Sequence, residues 1–124
     1  MLSWEILHRF TEGMHKESVV WFKEDFYAVL KGKKDHNQHL EVESHFDIVK
    51  QAIEEPNEVR QDKDYSNRKC YYAWFSGGRD FPNQHMKVVL EHTWYGKIRV
   101  LTAYFTSGLN SGEKTIWSKI QNSN

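Results

Sequence analysis

Seven histidines, a short run of cations and a set of strand-borne hydroxyls are the parts of this 124-residue chain with chemistry to offer. His36 and His39 stand three apart in a polar stretch, and an imidazole, whose unperturbed pKa is about 6.5, takes or gives a proton near neutrality. Arg60, Arg68 and Lys69 follow, and Tyr72, Thr102, Tyr104 and Thr106 project from β-rich segments. Such a set suits a phosphodiester: cations hold the phosphate and stabilise the charge of the transition state, while a histidine moves a proton. Other chemistries have less to stand on. No HExxH motif and no Cys/His framework accompanies the histidines, so no metal site is expected. Gly77-Gly78 is a turn rather than a Gly-rich phosphate loop, and no cofactor is expected. Cys70 alternates into a strand with only Arg68 and Lys69 to activate it, and reads as a buried thiol.

Composition sets the frame for those residues. Seventeen basic and 17 acidic side chains cancel, so nothing global draws the chain to nucleic acid or to an acidic membrane, although a local basic patch remains open. Five Trp, six Tyr and seven Phe argue for a packed core rather than disorder. No apolar run approaches the roughly 18 residues of a membrane span, and the N-terminus lacks the layout of a secretory signal. A single domain over residues 1–124, soluble and cytoplasmic, with no membrane partner, is the expectation.

The elements that must position the chemistry are clearest at the C-terminal end. Met86–Thr93 and Ile98–Thr106 read as two antiparallel strands around a turn at Trp94-Tyr95-Gly96-Lys97, where Gly96 is free to take positive φ. Strict alternation puts Ile98, Val100, Thr102 and Tyr104 on one face of the second strand, and Arg99, Leu101, Ala103 and Phe105 on the other. Arg68–Phe75 is a third strand, Glu58–Gln61 a short one, and Thr115–Trp117 an edge. Residues 76–84 and 107–112 read as loops. Upstream, Phe46, Val49 and Ile53 form a helical stripe behind an N-cap at Ser44, and Pro56 stops that helix. Ser18–Lys23 divides as strand from Glu24–Leu30 as helix. Trp4, Leu7 and Phe10 or Met14 form a helical stripe that Gly13 weakens. The fold class is therefore α+β, with N-terminal helices packed on an antiparallel meander. In a meander, Arg68 starts its strand beside Ile98 and lies far from Tyr104.

From about His36 onward the order of segments resembles the phage-type barnase/EndoU/colicin/RelE-like nuclease domains, small RNases of the BECR fold. The resemblance rests on His39-Leu-Glu-Val42, Ile53-Glu-Glu-Pro-Asn-Glu-Val59, Arg60-Gln-Asp62, Arg68-Lys-Cys-Tyr-Tyr72, Met86-Lys-Val-Val89 and Val100-Leu-Thr-Ala-Tyr-Phe-Thr106. It covers about two-thirds of the chain and leaves the first 35 residues unmatched. It implies a metal-independent, toxin-like endoribonuclease working by 2′-OH transesterification. Its substrate would be RNA, with tRNA or the ribosome as possible targets and an antitoxin or immunity protein as partner. Carried over, the catalytic candidates are His39, Arg68, Tyr104 and Thr106, with Arg60, Lys69 and Tyr72 binding substrate. Leu40 stands where the family commonly has Pro, so His36 competes with His39 as the acid–base. The alternative is a catalytically inert interaction module of the same architecture, with Trp74, Phe75, Trp94 and Tyr95 as its partner surface.

Overall fold

The structure, a computed structural model, describes residues 5–31, 39, 41–77 and 81–119. His36, Trp4, Leu40 and Gly78 lie outside the described residues. In chain order the elements are β1 (Ile6–Thr11), β2 (Ser18–Phe22), α1 (Lys23–Lys31), α2 (Glu41–Ser44), α3 (Phe46–Glu54), β3 (Glu58–Gln61), β4 (Arg68–Gly77), β5 (Phe81–His92), β6 (Ile98–Thr106) and β7 (Lys114–Ser118). Among the described residues the strands form one sheet in the order β1-β2-β6-β5-β4-β3-β7. All neighbours are antiparallel except β2 and β6, which run parallel.

The meander expected from the sequence is the middle of this sheet, β3 to β6. Two placements go beyond that expectation. β7 returns to pair with β3, and the β1–β2 hairpin docks on the far side of β6. Among the described residues strands therefore come first, not helices, and the three helices lie between β2 and β3. Residues 6–11 form a strand because pairing with β2 overrides a weak helical stripe: Phe10 and Val19 sit opposite each other, both buried. Gly13 has a different role from weakening a helix. Its N–H donates to the Ile53 carbonyl at 2.9 Å, and a Cβ there would come within 2.5 Å of the Glu54 carbonyl oxygen. The β1–β2 turn is thus seated on the C-terminal end of α3, with the Thr11 N–H donating to Glu54 Oε2 at 2.8 Å.

α3 forms as its stripe requires, with Val49, Ala52 and Ile53 fully buried and Phe46 packed beside them. Its start differs from expectation. Ser44 belongs to the preceding α2, where its hydroxyl donates back to the Glu41 carbonyl at 3.3 Å. His45, at φ −122° and ψ 40°, breaks the helical path and caps α3 without a side-chain bond. Gly96 takes φ +83° at the β5–β6 turn, as its lack of a Cβ allows. β4 and β5 extend to Gly77 and from Phe81, so the connection between them is shorter than the nine-residue loop expected.

One face of the sheet receives the helices. Trp21, Phe26, Val42, Val49, Ile53, Tyr71, Met86, Val88, Leu90, Val100 and Ala103 are buried together there. The other face carries a smaller cluster of Cys70, Tyr72 and Val89 with Leu101. A β-bulge decides which residues of β6 face which way. Val89 pairs with Thr102 but Leu90 pairs with Val100, leaving Leu101 as the extra residue. Ile98 and Val100 face the helices as alternation requires. Beyond the bulge the phase reverses, so Ala103 and Phe105 face the helices while Thr102 and Tyr104 face away. The expectation that Thr102 and Tyr104 share a face with Val100 is therefore corrected.

Candidate functional site

The helix-free face brings together much of the polar set read from the sequence. Register places Tyr104, Lys87, Tyr72 and Glu58 side by side across β6, β5, β4 and β3. The β6–β7 loop folds over this row and delivers Glu113. Its carboxylate accepts hydrogen bonds from the Tyr72 hydroxyl and from Lys87 Nζ, the latter at 2.7 Å. Both charges of the pair are nearly out of water, with side-chain exposures of 11% for Lys87 and 2% for Glu113. Burial alone disfavours the Lys87 ammonium, yet the Glu113 hydrogen bond and charge win and raise its pKa. Burial first, then the bond to Glu113, push the Tyr72 phenol upward, so it stays a neutral donor. Cys70 is pushed up to about 12 by burial, which makes its thiol inert, as the sequence reading held.

At the rim of this row stands His39. Its ring stacks on Tyr104 with centroids 5.4 Å apart and planes at 27°. Its Nδ1 lies 3.3 Å from Glu41 Oε2. The fold explains why it is there. β2 meets β6 only at Ile98 and Arg99, so the downstream half of β6 lacks a strand on that side among the described residues. α2 lies against β6 instead. Glu41 Oε2 accepts the Phe105 N–H at 3.5 Å, and the His39 N–H donates to the Val29 carbonyl at 3.0 Å. With Nδ1 held against a carboxylate, Nε2 is the nitrogen left for proton transfer.

Other candidates are dispersed. Arg68 lies four residues along β4 from Tyr72, about 13 Å away at the usual strand rise. It pairs with Glu91 at 3.3 Å and covers the Tyr65 ring, and Glu91 also holds Arg99, which reaches Asp25 at 3.0 Å. This is the separation from Tyr104 that the meander implies. Arg60 pairs with Glu58 and donates to the Asn110 carbonyl at 3.1 Å. Lys69 faces the helix side, opposite Leu90 in the register, where its charge adds to burial in lowering the pKa of His92. It cannot share a site with Tyr72, because consecutive strand residues face opposite ways. Thr106 is on the open face, but its hydroxyl donates to the Gly108 carbonyl at 2.9 Å.

Sequence reasoning missed Lys87, Glu113, Glu41 and His85. A lysine amid the apolar residues of a central strand was a usable signal, since a charge there must find a partner. Nothing in the sequence marked Glu113. The aromatic partner surface does not form one patch: Trp74 is on the open face, Phe75 stacks on Phe105 on the other, and Trp94, 94% exposed, is at the hairpin tip with Tyr95. Among the described residues no three His, Cys, Asp or Glu are placed to hold a metal ion, and no helix is long and apolar enough to cross a membrane. Compared with known families, with curated proteins and with solved structures, the chain matches none.

Proposed function

We propose that the protein is an endoribonuclease that cleaves RNA without a metal ion, by attack of a ribose 2′-OH on the adjacent phosphate. The observation that carries this reading is the His39 imidazole stacked on Tyr104 with Glu41 on its Nδ1, at the rim of an open sheet face. His39 is the general base in this scheme. The Tyr104 hydroxyl and the Lys87 ammonium, which lies 5.7 Å from the Tyr104 ring, are the donors beside it for the charged phosphorus centre. Arg68 is too far to share that phosphate and serves neighbouring backbone. RNA, free or in a tRNA or ribosome, is the substrate, and an immunity protein would act by covering this face.

The test uses labelled RNA in EDTA. Cleavage should leave 2′,3′-cyclic phosphate and 5′-OH ends, spare an all-deoxy strand, and fall at least about 100-fold in His39→Ala with an unchanged folded spectrum. Cleavage that stops in EDTA and returns with one divalent ion refutes the scheme, as does a His39→Ala variant that cleaves like the parent. A second reading has one observation in its favour. Arg60, Arg68, Lys87 and Arg99 each already face a carboxylate, so none offers an unopposed charge to a phosphate. An inert binding module on the same scaffold would bind a partner and leave every RNA intact.

A further inference from the structure

Transesterification of RNA needs two proton transfers: one from the attacking 2′-OH and one to the departing 5′-oxygen. His39 supplies only the first. Of the six described histidines, four are badly placed for the second, and one of these, His15, lies in the turn between the edge strand β1 and β2. His8 lies in a nest of aromatic rings, 4.5 Å from Phe46 and 5.1 Å from Phe26. His45 abuts Phe75 and Phe105 on the helix side. His92 follows Leu90 on that same side, within reach of the charges of Lys69 and His15.

His85 is the exception. It pairs with Thr106 in the register, one step along from the Lys87–Tyr104 pair and on the same open face. That makes Tyr104 and His85 diagonal neighbours, with backbones about 7–8 Å apart. Its ring meets that of Trp74 at 4.5 Å between centroids, and its Nδ1 is buried without a hydrogen-bond partner among the described residues. A buried polar atom left unpaired carries its full desolvation cost, and folds retain few of them without a use. No hydrogen bond among the described residues commits Nδ1 to a partner, so the proton of this ring is not held by the fold.

We infer that His85 is the general acid that complements His39, an inference that rests on the nuclease reading. His39 removes the proton of the 2′-OH, the 2′-oxygen bonds to phosphorus, the P–O5′ bond breaks, and His85 gives its proton to O5′. The products are a 2′,3′-cyclic phosphate and a 5′-OH, and the two imidazoles end with their protons exchanged. Trp74, against which His85 rests, offers a face on which the departing nucleoside can stack.

A leaving group that needs no proton separates this role from others. The parent, His39→Ala and His85→Ala are assayed on RNA and on uridine 3′-(4-nitrophenyl phosphate), whose nitrophenolate departs unaided. On RNA, His85→Ala should lose at least about 100-fold, while on the aryl ester it should stay within about threefold of the parent; His39→Ala should lose on both. The aryl ester also reports that the variant is folded. If the parent cleaves both substrates and His85→Ala either matches it on RNA or loses equally on both, the assignment of His85 is overturned alone. A parent inert on both substrates overturns the nuclease reading and takes this assignment with it.

Discussion

Replacing Lys87 by Met and Glu113 by Leu, singly and together, tests whether the buried pair on the open face is as strongly coupled as its burial implies. Glu113→Leu leaves an ammonium that is 11% exposed without its carboxylate, and removing one partner of a buried pair costs about 3–5 kcal/mol. It also removes the acceptor of the Tyr72 hydroxyl, worth about 1–3 kcal/mol more. Lys87→Met leaves Glu113 with the Tyr72 hydroxyl alone, at a similar cost. The double variant has no stranded charge, and an apolar replacement of a buried pair is near neutral, so only the orphaned phenol remains to be counted. The two single costs should therefore exceed the double by about 3 kcal/mol or more. Urea unfolding followed by circular dichroism reads this directly: with a slope of about 1–2 kcal/mol per molar, each single variant should unfold at least about 1.5 M earlier than the parent, Glu113→Leu the earlier of the two. Costs that add to within about 0.5 kcal/mol would refute the coupling, and with it the account of how the β6–β7 loop is held over the sheet.

Two further outcomes follow from the helix side. Ile53→Ala should lose about 2–5 kcal/mol in urea unfolding, since Ile53 is fully buried between α3 and the sheet; a loss below about half a kcal/mol would remove that packing. His8 has its pKa lowered by burial among the aromatic rings, so its neutral form stabilises the fold fully above the unfolded value of about 6.5, and that stability is lost as pH falls through the lower folded value. His8→Phe should flatten the acid side of a melting-temperature profile below about pH 6.5, leaving the contribution of His92, whose pKa is also lowered, first by burial; an unchanged profile would count against it.

Local patterns carried those parts of the fold that local patterns determine. The hairpin around Gly96, the β4 strand, the α3 stripe and the division between β2 and α1 were all legible, because each depends on side-chain periodicity within about ten residues. The β1 strand was not, because its short run of apolar residues satisfies a helical spacing as well as a strand, and only its pairing with β2 decides. The site was half legible for a related reason. His39, Tyr72 and Tyr104 carried their own signals. Glu113 reaches Tyr72 from 41 positions away and Lys87 from 26, and a loop glutamate has no periodicity to betray it. The distance of Arg68 from Tyr104 was legible too, since the order of a meander fixes which strand ends meet, although the resemblance grouped the two in one catalytic set.

The extra residue at Leu101 makes β6 tolerant of one kind of change and intolerant of another. Swapping Leu101 for a different side chain touches only the small cluster around Cys70. Removing it would close the bulge and leave Ala103 and Phe105 facing the helices, because Leu90–Val100 and Val89–Thr102 then become successive pairs. Flattening the bulge with Leu101 kept, so that Leu101 pairs with Val89, would instead turn Ala103 and Phe105 outward and bring Thr102, Tyr104 and Thr106 against the helices. One such shift would place hydroxyls in the core and take Tyr104 from His39 together. Among variants of this chain that keep both its stability and its candidate site, this strand is free to change or lose the bulge residue but not to slip its register.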